Sequence, residues 1–231
     1  MTSPAPLLFD TYYHIYNRGT NGENIFIEER NYAHFLHLLA KHIEPVADIF
    51  CYCMLRNHFH LSLRVKSEEE ITEMLQALRV SPANRGRTEP GSPASQGGKS
   101  VGSTESLPVA PNYVSSQFSN LFNAYAKAIN KAYGRTGSLF EHPFGRVPIT
   151  NDTQFWNVIA YIHQNPQKHE FVRDFREWKY SSYGILLTDR HTFLKRGEVM
   201  EWFGGKESYL DLHHDWVTNA QSKRFAVDDL D

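Results

Sequence analysis

The run "RNHFHLSLRVK", residues 56–66, decides how the rest of the chain is read. In a β-strand alternate side chains share a face. His58, His60, Ser62, Arg64 and Lys66 therefore point one way, and Phe59, Leu61, Leu63 and Val65 the other. That alternation predicts a half-buried strand, with the apolar set against helices and the polar set toward solvent or a ligand. The two histidines share a face, separated by two residues of strand rise, roughly 6.5–7 Å between Cβ atoms. Both imidazoles can reach one cation, with bonds of about 2.0–2.2 Å. The alternative is a pair of solvated histidines, and with 12 His in the chain no single one is informative. Arg64 and Lys66 on the same face favour a ligand carrying phosphate. A histidine-triad nucleotide hydrolase would need a third histidine two residues on, where the chain has Ser62.

Working outward, "ADIFCYCML", residues 47–55, puts Ile49, Cys51, Cys53 and Leu55 on one face and Phe50, Tyr52 and Met54 on the other. Both faces are apolar, which predicts a strand inside the sheet. Arg56 and Asn57 join it to the histidine strand as an antiparallel hairpin. "TYYHIYNR", residues 11–18, is the first strand, ended at Gly19. Tyr32, Phe35, Leu36, Leu39 and Ile43 recur at helical spacing across 29–43. Ser67 with Glu70 three residues later forms a capping box for a helix over 67–78. Residues 80–111 are dominated by Gly, Ser and Pro without apolar period, and read as a disordered insertion. A helix over 113–133 carries the stripe Val114, Phe118, Leu121, Phe122, Tyr125 and Ile129, with Gly134 as its cap. Pro148 in "GRVPIT" marks an edge strand.

The next helix, capped by Asn151 or Asp152, is expected to end near Asn165, where Pro166 discourages continuation. In "DTQFWNVIAYIHQNP", residues 152–166, Phe155, Val158, Ile159 and Ile162 make the buried stripe. Tyr161 and Asn165, four apart, lie on its flank, where the tyrosine can meet a substrate and the amide oxygen a cation. Gln164 is the competing ligand, and His163 reads as a surface residue. The order β-α-β-β-α-(insertion)-α-β-α predicts an α+β fold: a ferredoxin-like antiparallel sheet sandwiched with helices. Residues 1–175 form that unit. Residues 176–231 read as a helical C-terminal appendage that packs through Trp178, Tyr180, Tyr183, Trp202 and Phe203 and ends loosely.

Composition narrows the class. The chain has 231 residues, 41% hydrophobic and 22% charged, as in ordinary soluble domains. No apolar run is long enough to cross a membrane, and "MTSPAPLLFD" lacks the pattern of a secretory leader. Cys51 and Cys53 are too few for a disulfide framework and suit a reducing, cytoplasmic setting. A net charge of −2 excludes a strongly basic, nonspecific DNA coat, but not an enzyme with a local basic groove. Between Asn112 and Thr150 four basic residues, Lys127, Lys131, Arg135 and Arg146, face one acid, Glu141. Arg18, Arg56, Arg64 and Lys66 lie near the histidines in sequence. These eight are the candidate DNA-binding cations, with Tyr12, Tyr16, Phe140 and Phe144 available to stack on unpaired bases.

Taken in order, "YYHIYNRG", "RNHFHLSL", "QFSNLFNAYAKAINKAYGRTGSLFE" with "PFGRVPI", and "YIHQNP" resemble the IS200-like single-tyrosine transposases. Within that family the chain is most similar to the REP-associated tyrosine transposases, over roughly residues 10–183. The resemblance implies an HUH endonuclease that cleaves single-stranded or hairpin DNA and transfers strands. It implies that His58 and His60 are the HUH pair and that Asn165 is the third ligand of Mg²⁺ or Mn²⁺. Tyr161 would be the nucleophile, forming a 5′-phosphotyrosine link and releasing a 3′-OH. A homodimer is one assembly the family allows, and a membrane partner is not implied. The moderate pI of about 6.6 and the 80–111 insertion depart from the family pattern. They leave open a catalytically silent nucleic-acid-binding regulator. A phosphodiesterase in which water attacks is the third reading.

Overall fold

The computed structural model describes residues 5–80, 109–110 and 112–218. Most of the 80–111 insertion and the chain's end from 219 lie outside the described residues. Four strands, β1 (Tyr12–Arg18), β2 (Ala47–Met54), β3 (His58–Val65) and β4 (Gly145–Ile149), form one sheet in the order β2-β3-β1-β4. Every neighbouring pair is antiparallel. With α1 (Glu29–His42) between β1 and β2, and α2 (Glu68–Val80) and α3 (Tyr113–Tyr133) between β3 and β4, this is the expected α+β, ferredoxin-like arrangement.

The apolar face of β3 meets α1 and α3. Val114, Phe118, Leu121, Phe122, Tyr125 and Ile129 are the buried residues of α3, as their 3- and 4-residue spacing dictates. Gly134 ends the helix at φ 62°, a left-handed conformation open to a residue without Cβ. Phe59 on β3 packs against Phe35 of α1 and Phe122 of α3. Truncating Phe59 to Ala would cost about 3–5 kcal/mol, because that junction would be left as a cavity. Both arms of the capping box at α2 are made. Glu70 N donates to Ser67 Oγ (3.1 Å), and Ser67 N donates to Glu70 Oε2 (2.8 Å).

Three features of the sheet differ from the sequence reading. First, β2 is buried along its whole length yet stands at the edge of the sheet, not inside it. The C-terminal third of the chain covers it: Ser182 N donates to Tyr52 O (2.9 Å), Met54 N to Tyr180 O (3.0 Å) and Lys195 N to Ile49 O (2.9 Å). An edge covered by a connecting segment produces the same apolar run as an interior strand. Second, the register shifts between Ile49 and Cys51, so Ile49 pairs with Leu63 on one face and Cys51 with Ser62 on the other. One extra residue reverses side-chain parity, and Phe50 fills the face of Tyr12. Third, the polar face of β3 is not open: His60 is 2% and Ser62 0% exposed.

What covers that face is α4 (Asp152–Lys168). Asn151 caps it, its Oδ1 accepting from Gln154 N at 2.9 Å. Phe155 lies against Tyr12 and Phe50, Tyr161 against His14 and His60, and His169, just past the helix end, against His58. The helix continues through Pro166 instead of stopping at Asn165. Proline forfeits one bond to the carbonyl four residues back, but Pro166 is buried and His169 N still donates to Asn165 O at 2.9 Å. Against α4 also pack α5 (Tyr183–Leu186), α6 (Arg196–Trp202) and α7 (Lys206–Thr218): His163 meets Tyr183 and His213, and Trp202 meets Phe155 together with Tyr12 and Phe50 of the sheet. Every residue from Ile159 to Pro166 is therefore buried. His163, read from sequence as a surface residue, is 0% exposed because Ser182, bonded to the β2 edge, and Tyr183, Tyr209 and His213 enclose it.

Candidate active site

The β1–β3 ladder sets His60 opposite Tyr16, and Ser62 opposite His14. The small Ser62 side chain leaves room for the His14 ring to lean diagonally to His60, bringing His14 Nε2 to 2.9 Å from His60 Nδ1. The His58 ring stands perpendicular to His60 with centroids 5.1 Å apart, and its Nδ1 lies 2.8 Å from Asn57 Oδ1. From the helix above, the Tyr161 ring presents its edge at 5.7 Å from His60 and 5.8 Å from His14. Lys168 Nζ stands 5.4 Å from the centre of the Tyr161 ring. Asn165, one turn beyond Tyr161, donates from Nδ2 to Tyr161 O at 2.9 Å, which fixes its amide and leaves Oδ1 as the remaining polar atom.

His60 Nε2 and Asn165 Oδ1 are both buried without a hydrogen-bond partner, as is Ser62 Oγ two residues further along the strand. Leaving such an atom unpaired costs about 1–3 kcal/mol, so two of them on facing elements call for a group that uses them. Burial pushes the His14 imidazole down to about 3. Burial first, and then His14, His58, His169 and Lys168, hold His60 well below the ordinary histidine value. Both rings are therefore neutral at pH 7, the form that offers a lone pair to a metal. Among the described residues no three His, Cys, Asp or Glu side chains form a ready cation cage. The candidate donors are two imidazoles and an amide oxygen, a nitrogen-and-oxygen mix that a divalent cation can accept with solvent or substrate filling the other positions. Beside the histidines opens a cavity of about 170 Å³, lined by Tyr16, Asn17, Arg18, His58, His60, Glu141 and Gly145 among others. Gly145 lies so close to the Tyr16 ring that a Cβ there would overlap it.

The fold thus gathers His58, His60 and Tyr161, with Asn165 one turn away. Of the other candidates, Arg18 joins them, standing opposite His58 in the β1–β3 ladder and lining the same cavity, while most of the rest are engaged elsewhere. Gln164 donates from Nε2 to His213 O at 2.8 Å, toward α7. Arg64 pairs with Asp48 (2.5 Å), Asp10 and Glu70, and Lys66 donates to Glu44 O (2.8 Å). The two cations that suggested a phosphate beside the histidines are thus engaged in structural contacts. Arg146 donates to Ala5 O and lies over the Phe144 ring, while Arg135 pairs with Glu23 and Asn130. Arg56 lies near the Phe171 ring, and Arg18 pairs with Glu141 at the cavity (2.8 Å). Lys127 and Lys131 are exposed on α3. Sequence reasoning missed His14, Lys168 and His169. The signal for His14 was its place between Tyr12 and Tyr16 on alternate positions of β1, but its partner depends on a cross-strand register that no pattern displays.

No protein-family model and no curated protein matches the chain. Among solved structures, one described as a REP-associated tyrosine transposase bound to a REP hairpin superposes with a TM-score of 0.52. That match is 14% identical in sequence and covers 89% of this chain and 96% of the other. The likeness is one of fold: the four-stranded antiparallel sheet with its helices is shared. No helix among the described residues is long and apolar enough to cross a membrane.

Proposed function

We propose that the chain is a transposase-like endonuclease and strand transferase for single-stranded or hairpin DNA, with Tyr161 as nucleophile. The observation that carries this reading is the Tyr161 ring edge-on to His60, where His60 Nε2 and Asn165 Oδ1 are both buried and unpaired. In this scheme Tyr161 Oη attacks the scissile phosphorus in line. The bond from phosphorus to the 3′ oxygen breaks, the phenol loses its proton, and the leaving oxygen is protonated to a 3′-OH. The 5′ phosphate stays on the tyrosine. One phosphoester replaces another, so the 3′-OH of a second strand can reverse the step without an external energy source.

A phenol with an ordinary pKa near 10 is a weak nucleophile at pH 7. Lys168 Nζ, 5.4 Å from the centre of the Tyr161 ring, places a positive charge beside the proposed nucleophile, where an incoming phosphate would meet it. His58, His60 and Asn165 would hold Mg²⁺ or Mn²⁺, which when bound supplies neutralisation of the non-bridging phosphate oxygens. The histidine-side cavity would receive the strand, with the Tyr16 ring, held against Gly145, as a stacking surface for an unpaired base. The solved structure of similar fold has a hairpin bound, which supports hairpin DNA as the first substrate to try.

The test is incubation of the protein with end-labelled single-stranded hairpin DNA and Mn²⁺. A covalent protein–DNA adduct that disappears in Tyr161→Phe supports the reading. Cleavage that survives Tyr161→Phe would replace it with attack by water. Binding without cleavage in either metal would make the chain a silent regulator.

A further inference from the structure

His14 is fully buried and has no part in the scheme above, yet its Nε2 lies 2.9 Å from His60 Nδ1. A single proton must sit between those two nitrogens, and it has two places to go. If His14 carries it, His60 is left protonated on Nε2. That N–H would be buried without an acceptor, which folded proteins rarely tolerate. If His60 carries it on Nδ1, the Nε2 lone pair points into the site instead.

We propose that His14 is the positioning residue of the candidate metal centre. It accepts the Nδ1 proton of His60 and so fixes both the tautomer and the aim of the ring, presenting Nε2 to a divalent cation. The inference rests on the functional reading above, since it supplies the orienting partner that metal-bound histidines generally have. The geometry supports it from the fold upward. His14 is opposite Ser62, not opposite His60, so the contact is diagonal across the β1–β3 ladder and needs the small side chain at position 62. The His14 ring also lies 5.8 Å from Tyr161, so the same residue contacts the metal-binding histidine and the proposed nucleophile's ring. An imidazole in this place, where metal sites often have a carboxylate, adds no negative charge beside a phosphodiester.

The experiment uses the full chain, ¹⁵N-labelled. Long-range ¹H–¹⁵N correlations on the metal-free protein report which nitrogen of His60 is protonated, and electron paramagnetic resonance measures Mn²⁺ binding separately. Wild type is expected to carry the His60 proton on Nδ1. His14→Phe, which keeps bulk but cannot accept, should move it to Nε2 and weaken Mn²⁺ binding about 10–100-fold. His14→Gln, whose amide oxygen can accept the same bond, should restore the Nδ1 form and most of the affinity. A merely structural role would not show that rescue. The inference is overturned if wild-type His60 is protonated on Nε2. It is also overturned if His14→Phe, or His14→Gln should the Phe variant not fold, leaves tautomer and affinity unrelated to the acceptor. Wild-type protein that shows the Nδ1 form but binds no Mn²⁺ overturns the functional reading, and with it the metal role of His14.

Discussion

Two buried histidine pairs flank α4, one on each side, with the same separation and opposite characters. On the sheet side, His14 Nε2 meets His60 Nδ1 at 2.9 Å and His60 Nε2 has no partner. On the other flank, His163 Nδ1 meets His213 Nε2 at 2.9 Å, His163 Nε2 meets Ser182 Oγ at 2.8 Å, and His213 Nδ1 meets Tyr209 O at 2.7 Å. The second network closes on itself and the first does not. Burial and pairing are common to both; the atom left without a partner is what sets His60 apart. The second network ties α7 and Ser182 to the helix, and through that helix it holds Tyr161 over the sheet.

The comparison can be broken most severely at the tyrosine. Tyr161→Phe should lower covalent adduct formation by at least about 10³-fold, the scale of losing a nucleophile, while the melting temperature stays within a degree or two. A larger thermal shift would mean that Tyr161 is chiefly a packing residue. Next comes acid. Burial pushes His213 down to about 4, against about 6.5 when unfolded. Its contribution to stability is complete above pH 6.5 and is lost as the pH falls toward 4, on the order of 3 kcal/mol. His163, held low by burial and then by His213, has the same sign. Denaturant titrations between pH 7 and 4 should show this fall, and His213→Gln should flatten it.

A metal should protect one pair only. Mn²⁺ at about 100 times its dissociation constant should stabilise wild type by about 2.7 kcal/mol, and His60→Ala should abolish the gain while His213→Gln keeps it. His163→Phe should cost about 1–3 kcal/mol by leaving His213 Nε2 without its partner, while Ser182 Oγ keeps its bonds to Tyr52, a melting shift of several degrees. Asn165→Leu is expected to act on metal binding more than on stability. The lost Nδ2 bond to Tyr161 O costs about 0.5–1.5 kcal/mol and removal of the unpaired acceptor offsets part of it, yet Mn²⁺ binding should weaken tenfold or more. If Asn165→Leu instead unfolds the protein, the sheet side of α4 is structural too, and the contrast between the two pairs fails.

The parts legible in the sequence were those decided within one element. The alternation of β3 placed His58 and His60 on one face. The stripe of α3, its Gly134 cap and the Ser67–Glu70 box were fixed by spacing a few residues long. The parts that failed were decided between elements. The edge position of β2 depends on Tyr180, Ser182 and Lys195, over a hundred residues later. His163 looked solvated because nothing in "YIHQNP" shows that α7 covers it. Arg64 looked like a phosphate ligand because Asp48 is on another strand. Of the candidate site, the sequence pointed to the pair and the tyrosine, while His14 needed the register of β1 on β3.

The closed edge of β2 has a consequence for how copies of this molecule can meet. An exposed edge strand is a template onto which another chain can add its own strand, and it is a common start of aggregation. Here the carbonyls of Ile49 and Tyr52 and the amides of Tyr52 and Met54 are already taken by residues 180–195. At the opposite edge, β4 carries Pro148, which has no amide hydrogen to offer. The same C-terminal segment that holds the tyrosine helix in place therefore also keeps the sheet from being lengthened along β2 by a neighbour.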